Sequence, residues 1–233
     1  MSVPPGFGPH SRVALYYAPA IDDKLWARAV AWLGRDPETG EALPQPDIAG
    51  LSEVTMDAAS YGLHATLKPP FRLRAGATWD EFREQAASLA ASVPPFALPP
   101  LEVRDLFGFL ALTETESSPA LQAFCDVCVA WPDALRAPPD AAELAKRRRI
   151  GLAAAEDANL VRWGYPYVFS AWFFHMTLTR RLSEAEHEAF RPAAEDWFAD
   201  ALDQPRTVAD VSLFVQINPG EDFALVERVR LGG

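Results

Sequence analysis

His64-Ala65-Thr66-Leu67 and His175-Met176-Thr177-Leu178 are two copies of one pattern, H-x-T-L, and they use two of the only four histidines in the chain. Each copy sits in a β-like run, and each is followed by a capped helix: Thr78-Trp79-Asp80-Glu81 opens one through about Ser92, and Ser183-Glu184-Ala185-Glu186 opens another to about Leu202. In a strand, residues i and i+2 project from one face, so each imidazole lies beside its own threonine hydroxyl while Ala65 and Leu67, or Met176 and Leu178, pack behind. Two such strands facing each other would build a cleft with four polar groups.

The flanking segments repeat the order. Arg12 to Tyr17 reads as a buried strand closed by Pro19, with Asp22 as the N-cap of a helix through Trp26, Val30 and Leu33. Residues 35 to 50 form a loop, and Pro69-Pro70 ends or edges the first motif strand. Strands are expected at Leu101 to Leu106 and Phe107 to Thr113, then a helix Pro119 to Trp131 and a helical arm Ala141 to Ile150. An aromatic strand region Tyr165 to Leu178 comes next, and Val208 to Ile217 and Phe223 to Val229 close the chain around a Pro219-Gly220 turn. The echo of strand, capped helix and two strands in each half predicts an α+β protein of two similar lobes, with residues 1–233 as one bilobal unit.

Composition narrows the function. The 233 residues are 49% hydrophobic and 23% charged, which fits a packed globular chain and excludes disordered or collagen-like classes. The net charge of −11 repels polyanions, so neither duplex DNA nor an anionic membrane is an expected partner, whereas a small anion in a locally positive cleft is compatible with it. The uncharged stretch Trp163 to Phe174 is far short of the roughly 20 apolar residues of a membrane span. The N-terminal MSVPPGFGPHSR has no apolar core like that of a secretory signal, which leads us to expect a cytoplasmic protein. Cys125 and Cys128 lie inside a predicted helix and read as core packing rather than as a metal or redox pair.

The paired His/Thr inventory matches what a phosphodiester needs: one neutral histidine to accept a proton, one protonated histidine to deliver one to the leaving oxygen, and hydroxyl donors for the non-bridging oxygens. The histidine pKa near 6.5 lets one residue type fill both roles, and no metal or cofactor is called for. Other candidates are less sharply defined. Thr179 continues the alternation, either as a third cleft group or as an outward strand residue. Lys68 is either a phosphate contact two residues beyond Thr66 or a solvated strand end. Tyr17, Tyr165 and Tyr167 either line the cleft or pack in the core, and Arg162 is placed to clamp a terminal phosphate. Lys146-Arg147-Arg148-Arg149 is either an anion gate or, the preferred reading, the solvated end of a helix, and His10 and His187 lie outside the site.

These strings have a counterpart. The doubled motif, with YGLHATLKPPFRL (61–73), RWGYPYVF (162–169) and FFHMTLTRRL (173–182), resembles the two-histidine (2H) phosphoesterase superfamily, and within it the bacterial branch associated with phosphonate-utilisation operons. That resemblance implies a bilobal fold with pseudo-twofold symmetry around a central cleft. It implies His64 and His175 as the acid/base pair, Thr66 and Thr177 as phosphate-oxygen donors, and a small cyclic phosphodiester as substrate, of the 2′,3′-cyclic nucleotide or ribose cyclic phosphate type. The expected partner is therefore a small phosphorylated sugar or nucleotide. Three other readings compete: RNA end ligation or transesterification, a non-catalytic phosphosugar-binding regulatory module, and a metallohydrolase recruiting an acid such as Asp57.

Overall fold

The computed structural model describes residues 3–232. Nine strands and seven α-helices alternate along them: β1 (Arg12–Tyr17), α1 (Lys24–Leu33), α2 (Leu51–Ala59), β2 (Ala65–Phe71), α3 (Trp79–Ala91), β3 (Phe96–Leu98), β4 (Leu101–Leu106) and β5 (Phe109–Glu114) in the first part. The rest holds α4 (Pro119–Ala130), α5 (Ala141–Arg148), α6 (Ala154–Trp163), β6 (Met176–Arg181), α7 (Glu184–Leu202), β7 (Arg206–Val208), β8 (Asp210–Gln216) and β9 (Ala224–Arg230). No helix among the described residues is long and apolar enough to cross a membrane.

Seven strands form one sheet in the order β4-β5-β6-β2-β1-β8-β9, and β3 pairs with β7 in a separate two-stranded sheet. All pairings are antiparallel. The order hides a pseudo-twofold axis. Exchanging β1–β4 with β5–β8 turns β1-β2 into β5-β6 and β4-β5 into β8-β1, while β2-β6 and β3-β7 map onto themselves. β9 is the one addition. Helix packing obeys the same exchange, with α2 on β6 answered by α4 on β2, and α7 on β4 answered by α3 on β8. The α+β, two-lobed expectation is met, but the two motif strands lie side by side in one sheet rather than facing each other.

The lobes meet at a narrow seam. β2 and β6 share a single registered pair, Ala65 with Met176, and both side chains are fully buried. Behind the sheet a core runs through Val13, Leu15, Tyr17, Leu67, Phe174 and Leu178, and the helices cover it with Trp32, Phe82, Phe124 and Phe198. Cys125 and Cys128 are free and buried in this core, as expected, and burial pushes both thiols well above their ordinary pKa.

Three local expectations are corrected. The segment before β6 is not a strand from Tyr165. Pro166 has no N–H to donate to a ladder, Phe169 takes a φ of +54° in a short turn through Ala171, and extended pairing begins only at Met176. Of the two readings of Pro69-Pro70, ending is excluded, since β2 runs on to Phe71, while edging holds, since β2 meets β6 only at Ala65 and past it pairs with β1 alone. The first helix is capped by Asp23, whose side chain accepts from Leu25 N–H at 2.8 Å, rather than by Asp22.

Candidate functional site

The seam fixes the catalytic candidates. With Ala65 opposite Met176 and pointing into the core, antiparallel register sets His64 opposite Thr177 and Thr66 opposite His175 on the other face. Directly opposed side chains start about 4.5–5.5 Å apart and diagonal ones about 7–8 Å. The two histidines are therefore diagonal corners of a rectangle whose other corners are hydroxyls.

This rectangle floors a cavity of about 440 Å³. All four motif side chains line it, together with Tyr16, Tyr61, Tyr165 and Phe109. Four arginines, Arg12, Arg147, Arg180 and Arg181, stand against one carboxylate, Asp57, so the cavity wall is cationic in a chain of net charge −11. Among the described residues no set of three or more His, Cys, Asp or Glu side chains is grouped to hold a metal ion.

Each imidazole is oriented by a carbonyl two residues earlier. Nδ1 of His64 lies 2.8 Å from the Gly62 carbonyl, and Nδ1 of His175 lies 3.2 Å from that of Phe173. A carbonyl only accepts, so Nδ1 carries the proton in both neutral rings and Nε2 is left with its lone pair. The surroundings then differ. His64 stacks on Tyr16 at 3.9 Å between centroids and lies 5.7 Å from Tyr61; burial, and secondarily His175, push its pKa down to about 4. His175 stacks on the half-exposed Phe173 at 4.8 Å, and burial lowers its pKa as well.

Register shifts decide which other candidates arrive. Tyr16 pairs with Thr66 but Leu15 pairs with Lys68, so one extra residue is absorbed between them in β2. A bulge of this kind reverses the face on which the next residues project. Lys68 thus turns into the core, 2% exposed, contrary to both of its readings, as a phosphate contact and as a solvated strand end. Its Nζ lies 2.6 Å from the Val129 carbonyl and 3.1 Å from Asp133, and burial holds its pKa at about 8. The symmetry-related β6 also carries a register shift after Thr177. There the buried Thr179 backs the cavity and its hydroxyl accepts from the Leu110 N–H at 3.0 Å.

Tyr17 points to the core, against Phe174; the adjacent Tyr16 is the one on the cleft face. Arg162 is likewise outside the cavity, bound to Asp133 at 2.8 Å. Asp133 thereby joins Lys68, Arg136 and Arg162 in one cluster beneath the site. Tyr165 reaches the cavity, whereas Tyr167 lines a neighbouring one. Arg147 corrects the reading of 146–149 as a purely solvated run: its guanidinium covers the Tyr165 ring at 4.6 Å and lines the cavity. His187 sits 2.9 Å from Asp105, away from the site.

Comparison with known proteins adds a family and its neighbours. A family model described as "Protein of unknown function (DUF1045)" matches residues 66–224. A protein of Janthinobacterium sp. (strain Marseille) named ribose 1,5-bisphosphate phosphokinase PhnN is 40% identical over 96% of this chain and 51% of its own length. One of the same name from Laribacter hongkongensis (strain HLHK9) is 36% identical over 94% of this chain and 52% of its own. The chain thus spans about half the length of the curated relatives it matches. A crystal structure of E. coli LigT complexed with 3′-AMP is 14% identical with a TM-score of 0.47, covering 97% of this chain and 100% of that one.

Proposed function

We propose that this chain, which belongs to the DUF1045 family, is a two-histidine phosphodiesterase that opens a small cyclic phosphodiester by acid–base chemistry. The observation that carries this reading is the rectangle of two Nε2 lone pairs and two hydroxyls, set by one strand register on the floor of an arginine-lined cavity.

The environments divide the labour. His64, the more enclosed ring, is neutral near pH 7 and serves as the general base, taking a proton from the attacking water at Nε2. His175, at the more open edge, is the ring whose protonation a bound phosphate anion favours, and it serves as the general acid. The water oxygen bonds to phosphorus, the endocyclic P–O bond breaks, and the proton on His175 Nε2 passes to the departing sugar oxygen. Thr66 and Thr177 donate to the non-bridging oxygens as charge builds on them. Solvent exchange resets both rings.

Ribose cyclic phosphates lead the candidate substrates, because the relatives carry a ribose bisphosphate kinase name and the sequence resembles a phosphonate-associated branch. Kinase chemistry would need a glycine-rich cradle for a nucleoside triphosphate. The cavity here is walled by side chains, so we assign that chemistry to the length of those relatives that this chain does not span.

The test is turnover of 2′,3′-cyclic nucleotides and ribose cyclic phosphates in EDTA. His64→Ala and His175→Ala are each expected to lose about 10²–10⁴-fold. Full activity in either variant would refute the reading, and tight binding without turnover by the unmodified protein would favour a phosphosugar sensor.

A further inference from the structure

A second cavity, of about 450 Å³, opens beside the first and shares Arg12, Tyr61, Pro70 and Arg147 with it. The two are therefore one continuous concavity with a waist. Beyond the waist the wall adds Arg72, Arg136 and Lys146, with Glu143 as the lone carboxylate.

The pairing of these groups shows what is left for a ligand. Arg136 is satisfied by Asp133, whereas Arg72 meets Glu143 through Nη2 alone, at 3.1 Å, and keeps its other guanidinium nitrogens unpartnered among the described residues. Glu143 is also engaged in the N-terminal capping box of α5. Among the described residues, Arg12, Lys146 and Arg147 take part in no ion pair, although acids outnumber bases 32 to 21 in the chain. Two of these three project from α5, which has no buried residue, so its side chains are not committed to core packing. Three cations without an ion pair surround one concave space next to the His/Thr rectangle, two of them steadied by neutral groups, Arg12 by Gln216 Oε1 at 2.7 Å and Arg147 by the Tyr165 ring, and together they fit a second anionic group.

We propose that this second cavity is an anion subsite for a phosphomonoester carried by the same substrate molecule whose diester lies between His64 and His175. The inference rests on the phosphodiesterase reading for its first group. It adds that the substrate is a phosphorylated cyclic ester, with Lys146 and Arg72 contacting the terminal phosphate and Arg147 and Arg12 bridging the waist.

Binding tests it without turnover. Adenosine 3′,5′-bisphosphate and adenosine 3′-monophosphate are titrated against the full chain and against Lys146→Gln and Arg72→Gln, alone and combined. The unmodified protein is expected to prefer the bisphosphate by about tenfold. The combined variant is expected to lose that preference while its affinity for the monophosphate stays unchanged. Lys146 is exposed, so Lys146→Gln alone keeps the test valid if the combined variant folds poorly; it is expected to lose about threefold for the bisphosphate only. Equal affinity for the two ligands, or variants that weaken both alike, would overturn the subsite. A bisphosphate preference with no turnover of any cyclic ester would instead sink the phosphodiesterase reading and leave the subsite standing.

Discussion

The protonation of His64 ties the site to the stability of the fold, and a single substitution exposes the link. Burial holds this imidazole near pKa 4 in the folded chain against 6.5 when exposed, so between those values the unfolded chain binds a proton that the folded chain refuses. Stability therefore rises with pH across the window and falls as the solution is acidified through it. Integrated to pH 5, the difference is about 2 kcal/mol, and taken to full protonation about 3 kcal/mol. The carboxylates that their partners hold lowest, Glu186 and Asp200 at about 2, titrate below this window and are present in both proteins compared.

The assay is urea unfolding at pH 7.5 and pH 5.0 for the unmodified chain and for His64→Gln, which cannot titrate. The unmodified protein should lose about 2 kcal/mol more than the variant between the two pH values. In parallel, imidazole NMR should find His64 as the Nδ1–H tautomer, still neutral at pH 5.5, and His175 as the ring that charges when inorganic phosphate is added. Equal losses in the two proteins, or a His64 ring that titrates near 6.5, would refute both the burial argument and the choice of His64 as base.

Other consequences rest on single contacts. Thr66→Val and Thr177→Val remove the donors that the proposed mechanism directs at the phosphate and should each lower kcat by about 10²-fold with a smaller change in KM, measured by steady-state kinetics on the best cyclic ester. The Asp133 cluster should respond unequally to its two halves. Asp133→Ala strands Lys68, which is 2% exposed, and should cost about 3 kcal/mol in urea unfolding, whereas Lys68→Met leaves Asp133 its two arginines and should cost clearly less. Cys125 and Cys128 should stay unreactive towards a thiol reagent until the chain unfolds; labelling of the native protein would contradict their burial.

The sequence discloses whatever depends on residue type at fixed spacing. The doubled H-x-T-L and the two capping boxes, Thr78 with Glu81 and Ser183 with Glu186, all form as their residues dictate. Helices α2 and α6 are not legible because neither begins with a side-chain cap: α2 starts after Gly50 at φ +80° and α6 after Ala153. The parity of Arg12–Tyr17 is likewise hidden, since both faces are buried and no alternation tells Tyr16 from Tyr17. Lys68 departs from its expected face through a bulge, which leaves no mark in composition. Arg147 reads as a solvated charge because α5 lacks an apolar face to show which side meets the cavity.

The symmetry of the fold raises a problem that the site then solves. Exchange of β1–β4 with β5–β8 carries His64 onto His175 and Thr66 onto Thr177, so the topology alone delivers two equivalent imidazoles. Equivalent rings would be a poor acid–base pair, since each step needs one charged and one neutral. The difference comes from side chains that the exchange does not conserve: Tyr16 and Tyr61 enclose His64, whereas His175 lies against Phe173, 41% exposed, with Phe109 edge-on at 6.2 Å. Desolvation acts on both rings but most deeply on the enclosed one, and a phosphate placed between them favours protonation of the accessible ring first. If that is the source of the asymmetry, Tyr61→Ala should raise the His64 pKa towards 6.5 and narrow the pH range of activity from its acid side.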